Sequence, residues 1–302
     1  MRRIFAITLA LVMCLMFASC GNNESDFDEG VTAAPVASVA IQDAQTIADL
    51  AGFNIAAQTG TFHADALAQI PGGDTTNTYP EFADLLTALK SGAIDGYVAE
   101  KPTAQSVCEG DDTLTFLDFV NNDTGFAATA ADVGIAVGLK DGSELREQMN
   151  EIIAEITPEL QNQLMAEMVA VCNGEEITEF CLTSEAPENP TGTLKVAMEC
   201  AYEPYNWTEI GAQTPGAVAI SGDGKDGQYA NGYDVQVAQY IANRMGLTLE
   251  VYSYEWDSLI PALESGAIDA IVAGMSPTAE REEQIDFTDC YYESTLVVII
   301  KK

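Results

Sequence analysis

The sequence predicts an α/β protein built as two similar lobes around a cleft, and three observations carry that expectation. Short apolar runs alternate with segments of helical periodicity along most of the chain. A stretch of 19 residues recurs: an offset of 174 lays residues 81–99 on residues 255–273 with 11 identities, among them Ser91-Gly92-Ala93-Ile94-Asp95 on Ser265-Gly266-Ala267-Ile268-Asp269. Finally, 302 residues that are 47% hydrophobic and 8% aromatic are enough for the packed cores of two domain-sized units.

The elements follow in order. Arg2 and Arg3 precede an apolar run over residues 4–18 and then Ser19-Cys20-Gly21. The run is shorter than the roughly 20 residues of a membrane span, so residues 1–19 read as a bacterial lipoprotein signal peptide, with Cys20 as the lipid-bearing new N-terminus. Residues 20–40, rich in small and polar types, read as a flexible tether. Periodicity then predicts a strand at 54–57, helices at 64–70 and 82–91, and strands at 97–99 and 134–138. Two amphipathic helices follow at 143–156 and 158–171, the first capped by Ser143 and the second begun by Pro158. Residues 172–192 are a linker by composition. A second alternating unit has strands at 194–198, 248–252 and 270–273, and helices at 234–245, stopped by Gly246, and 257–265.

Charge and composition exclude several functions. Twelve Lys and Arg against 47 Asp and Glu give a net charge of −35, so no basic patch for nucleic acid can be assembled. His63 is the one histidine in the chain, which leaves His-based zinc sites and Ser-His or Cys-His catalysis without material. Beyond Cys14 and Cys20, five cysteines remain without a CxxC pair, so neither a metal nor a cofactor is expected. Cys172 and Cys181 are spaced to close a short loop, but an odd count leaves connectivity open.

Each repeat copy ends a helix at Ser-Gly and runs an apolar strand up to a polar cluster: Glu100 in the first copy, and Gly274 to Arg281 in the second. Ligands of open α/β sheets collect beyond the carboxyl ends of the strands, so two facing lobes present these clusters across one cleft. Arg281 with the hydroxyls of Ser276 and Thr278 suits a carboxylate, and Glu100 suits an ammonium. A zwitterionic amino acid carries both.

These residues resemble the polar amino-acid-binding proteins of ABC importers, extracellular solute-binding protein family 3, with the type II periplasmic-binding-protein fold. The resemblance runs from about residue 41 to 302, and its most specific pieces are MECAYEPYNWT (198–208), NGYDVQVAQYIA (231–242), WDSLIPALESGAIDAIVAGMSPTAER (256–281) and IDFTDCYYESTLVV (285–298). It implies lobe two at 41–138, closing helices at 139–171, the 172–192 linker joining old termini, and lobe one at 193–302. In the family lobe one comes first, so the order implies a circular permutant; a rearranged piece of a tandem array is the alternative.

By the same resemblance, Arg281 clamps the ligand carboxylate, helped by Ser276 and the backbone near Thr61 and Phe62. Glu100, where the family has Asp, holds the ammonium with the carbonyl of Gly274. Tyr202 and Trp256 flank the ligand side chain, and Gln58, His63, Glu199 and Tyr205 stand at its far end, with Glu199 placed to meet a cation. A bridge between Cys200 and Cys290, which replace non-Cys residues of the family, is left open. The implied protein is an extracytoplasmic monomer, not an enzyme, held to the membrane by lipid on Cys20. It hands a free L-amino acid, basic or polar, to an ABC permease. The alternatives are a sensing module acting through a separate membrane partner and a dehydratase-like enzyme using Glu100 as a general acid.

Overall fold

A computed structural model describes residues 39–121 and 123–302; the expected signal peptide, Cys20 and most of the expected tether lie outside the described residues. The first half of the described chain forms β1 (Ile55–Gln58), α1 (Phe62–Ala66), β2 (Thr78–Tyr79), α2 (Phe82–Ser91), β3 (Gly96–Glu100), α3 (Lys101–Gly110), β4 (Leu114–Leu117), α4 (Ala130–Val133) and β5 (Gly134–Leu139), followed by α5 (Leu145–Ile153) and α6 (Pro158–Cys172). After the linker come β6 (Thr193–Met198), β7 (Ala201–Tyr202), β8 (Asn206–Ile210), β9 (Val218–Ser221), β10 (Gln228–Asn231) and α7 (Tyr233–Arg244). The chain then forms β11 (Thr248–Ser253), α8 (Leu259–Ser265), β12 (Ala270–Ile271), α9 (Ala279–Glu282), β13 (Asp286–Glu293) and β14 (Leu296–Lys301).

Both repeat copies fold alike. Helices α2 and α8 end at Gly92 (φ 79°) and Gly266 (φ 76°), whose left-handed backbone an L side chain resists, and the amide of each bonds back to the last turn. The following Asp then ties the copy to its sheet: Asp95 accepts from the Asn54 amide at 2.8 Å and Asp269 from the Lys195 amide at 2.9 Å. Gly246 follows α7 in the left-handed region, as its stop position implies, and Thr157 caps α6 one residue before Pro158. Helix α5 begins later than expected, with the Ser143 hydroxyl accepting from the Leu145 amide.

Two sheets result, of strand order β2-β1-β3-β14-β4 and β13-β5-β12-β6-β11-β9-β10-β8-β7. Two strands lie outside the lobes that the sequence assigns them. Strand β5, expected in lobe two, pairs antiparallel with β12 and β13 in the nine-stranded sheet. Strand β14, expected in lobe one, pairs antiparallel with β3 and β4 in the five-stranded sheet. The physical reason is burial: all of β5, and β14 from Leu296 to Ile300, is buried, and a strand apolar on both faces needs a partner on either side. The end of β14 accordingly lies beside the start of lobe two, where Gln42 donates to the Lys301 carbonyl at 3.1 Å.

Helix α5 packs on β13 and α7, and α6 packs on α7 and α3, so the closing helices touch elements on both sheets. Beyond Cys172, which ends α6, the linker carries no helix or strand among the described residues, yet it is pinned: Phe180 and Leu182 are buried, and Asn243 donates to the Ser184 hydroxyl at 2.9 Å. Cys108, Cys172, Cys181, Cys200 and Cys290 are all unbridged, so neither pairing left open by the sequence forms here. No helix of the described residues is long and apolar enough to cross a membrane.

With β5 and β14 each completing the other half's sheet, residues 41–172 and 191–302 made separately should not fold cooperatively. Circular dichroism melts should show a sharp transition only after the two are mixed. Two sharp, independent transitions would support the tandem-fragment arrangement.

Candidate functional site

The carboxyl ends of β1 and β3 face those of β6 and β12 across a narrow cavity of about 20 Å³. Ten of the expected residues line it: Gln58, Thr61, Phe62, His63, Glu100, Tyr202, Trp256, Gly274, Ser276 and Arg281. Glu199 and Tyr205 do not. Glu199 sits behind Gln58, which donates to its carboxylate at 3.0 Å, and Tyr205 sits behind Tyr202, ring centroids 5.0 Å apart.

Arg281, at the end of a short helix, is buried, and its fork is divided between two carbonyls: Nη1 donates to Ser276 O at 2.8 Å and Nη2 to Gly60 O at 2.9 Å. Its guanidinium carbon lies 5.1 Å from the Trp256 ring centroid, and the Trp256 indole N–H also donates to Gly60 O. Burial lowers the guanidinium to about 10, which leaves it cationic at neutral pH. Opposite, Glu100 ends β3 and N-caps α3, and its Oε1 meets His63 Nε2 at 3.0 Å with both side chains buried. Glu100 Oε2 and His63 Nδ1 are buried without a partner. The cavity therefore has a cationic end and an anionic end, the distribution a zwitterion requires.

The floor is set by Asp234 in the first turn of α7, which is fully buried. Its carboxylate accepts from Tyr291 Oη at 2.7 Å and from Asn206 Nδ2 at 2.8 Å, and also from the Gly274 amide. Asn206 in turn accepts from the Cys200 amide at 2.7 Å, holding Cys200 at φ 59°. One side chain thus fixes both Gly274 and the segment leading into Tyr202. Burial pushes Asp234 up to about 7. Gly274 is itself left-handed (φ 62°), and a Cβ there would lie 3.1 Å from the Tyr202 ring.

The sequence reading missed Phe82. It lines the cavity and stacks on Tyr202 with centroids 4.2 Å apart and planes within 8°. A signal for it exists: the 174-residue offset that defines the repeat pairs Phe82 with Trp256, and Glu100 with Gly274. The same offset pairs Glu81 with Glu255, and both hydrogen-bond within an acidic group behind Gln58. There burial first, and then the charge of Glu81, push Glu199 up to about 8. Among the described residues no cluster of His, Cys, Asp and Glu is arranged to hold a metal.

Residues 219–302 match the family model of the bacterial extracellular solute-binding proteins, family 3. The arginine-binding extracellular protein ArtP of Bacillus subtilis is 29% identical over 135 residues, 45% of this chain and 46% of that protein. A probable histidine-binding protein of Campylobacter jejuni is 35% identical over 117 residues, 39% of this chain and 38% of its own length. The L-cystine-binding protein TcyA of Bacillus subtilis is 33% identical over 111 residues, 37% of this chain and 35% of its own. The chain thus spans less than half the length of these curated relatives, all three of which are named for binding. Among solved structures, the arginine-bound domain 1 of TmArgBP is 25% identical over 36% of this chain and 80% of that one, with a TM-score of 0.27.

Glu199→Gln tests the electrostatics of the wall. An acid whose folded value lies above its unfolded value loses stability as pH rises from about 4.5 toward 8, because the unfolded chain gives up its proton first. The neutral amide escapes that loss. It should match the parent near pH 4 and exceed it above pH 8 by on the order of 2–4 kcal/mol, read as a melting point higher by roughly 5–10 °C.

Proposed function

We propose that this chain, which is similar over residues 219–302 to the bacterial extracellular solute-binding proteins, family 3, captures an L-amino acid outside the cytoplasm and delivers it to an ABC importer. One observation carries the reading: a single cavity between the halves of the chain has the Arg281 fork at one end and the Glu100 carboxylate at the other. Arg281 with Ser276 and the backbone near Thr61 and Phe62 would take the ligand carboxylate, and Glu100 with the Gly274 carbonyl its ammonium. Tyr202, Trp256 and Phe82 would flank the side chain. The acids Glu199 and Glu81 behind Gln58 suit a basic or hydrogen-bonding side chain. The proposal includes anchoring by lipid on Cys20 and a permuted order of the two lobes, which the position of Lys301 beside Gln42 supports. Recognition needs no bond making, so the reading is of a binding protein rather than an enzyme.

A thermal-shift series of residues 21–302 against the common L-amino acids tests this. A ligand at about 1,000 times its dissociation constant adds roughly 4 kcal/mol, or about 8–16 °C at roughly 2–4 °C per kcal/mol for a protein of this size. Arg281→Lys keeps the charge but loses the fork. A hundredfold loss of affinity would cut the shift to about 3–6 °C at the same ligand concentration. If none of the amino acids moves the melting point, the reading is wrong.

A further inference from the structure

The anionic end of the cavity already holds a basic partner of its own. Glu100 Oε1 is bonded to His63 Nε2 at 3.0 Å, while Oε2 of the same carboxylate is buried and unpartnered. The free oxygen is a seat for an ammonium, and it lies on the carboxylate that the imidazole occupies. Among the residues lining the cavity only His63 and Arg281 are basic, and the Arg281 fork is held by two carbonyls. Tyr205, Asp234 and Arg281 each feel the Glu100 charge, and Glu280 and Asp65 in turn act on Arg281. Phe82 stands edge-on 5.8 Å from the imidazole centroid, and both side chains of the pair are buried, so water screens the contact poorly.

We propose that His63 is a built-in competitor for the solute's ammonium, so that capture of an amino acid drives a proton off the imidazole. The inference rests on the reading of Glu100 as the ammonium acceptor and adds a regulation to it. Two cations on one buried carboxylate repel each other, and the imidazole is the one that can discharge: the N–H bond at one ring nitrogen breaks, its electron pair stays on the ring, and the proton leaves to buffer. The ammonium then takes the charge-assisted bonds, and the neutral imidazole keeps a weaker one. Acid should therefore weaken capture, and a histidine at this one position should account for it.

The test is calorimetric titration of the purified protein with L-arginine, L-lysine, L-glutamine and L-alanine, whose side chains do not titrate between pH 5.5 and 7.5. Each titration is run in two buffers of different ionisation heat. The expected result is release of a fraction of a proton up to about one per ligand at pH 5.5, falling toward none at pH 7.5, with affinity rising about tenfold or more across that range. His63→Gln keeps a hydrogen-bonding side chain and should lose most of the proton release and of the pH dependence, leaving only what Asp234 contributes. Binding that releases no proton, or that releases as much in His63→Gln as in the parent, overturns the competitor role and leaves amino-acid capture standing. Failure of all four to bind, together with a flat thermal-shift series, overturns the reading of the site itself.

Discussion

Strand β14 sits between β3 and β4 in the five-stranded sheet although the chain reaches it only after building most of the nine-stranded one, and β5 sits between β13 and β12 although it follows the five-stranded half. Every larger feature depends on these two exchanges. Each sheet lacks an interior strand, second from its edge, until the other half of the chain supplies it, so burying β5 and β14 forces the halves together. The segment just before β14 bonds to first-half residues beside each sheet, with Thr295 O accepting from the Lys101 amide after β3 at 2.9 Å and the Ser294 amide donating to Val133 O before β5 at 3.2 Å. That crossing runs one residue from Glu100. The cavity is a product of the crossing, since strand ends from both sheets meet only where the chain passes between them.

Within this frame the site is made of buried charge, which is costly unless partnered. Asp234 is partnered from three directions and spends its bonds on positioning Gly274 and the turn before Tyr202. Arg281 and Glu100 are partnered only in part, the one by carbonyls that a carboxylate can outbid and the other by an imidazole on a single oxygen. A rigid, satisfied floor below and exchangeable partners above is the arrangement that lets a polar solute replace internal bonds without reorganising the fold. The repeat adds geometry to this. Its equivalent residues, Phe82 with Trp256 and Glu100 with Gly274, come from opposite halves and line the same cavity.

Much of this was legible in the residues. Local rules set the Ser-Gly stops of α2 and α8, the Thr157-Pro158 start of α6, and the polar clusters after β3 and β12, because caps, left-handed glycines and periodicity depend on neighbours a few positions away. The chemistry of Arg281, Ser276 and Glu100 was visible for a similar reason: few side chains can hold a carboxylate or an ammonium, and in a chain this poor in arginine a single one stands out. What only the tertiary structure decided are relations between distant residues. An apolar run such as residues 296–300 declares that it is buried but not in which sheet, so the exchange of β5 and β14 was invisible to pattern. The role of Phe82 depends on the fold, which lays its ring on Tyr202. Glu199, expected at the ligand's far end to meet a cation, instead lies buried behind Gln58 and beside Glu81, which raises its proton affinity. The pairing of His63 with Glu100 has the same origin, because sequence fixes which groups a chain owns, whereas desolvation and contact, which fix what those groups do, exist only after the halves have closed on one another.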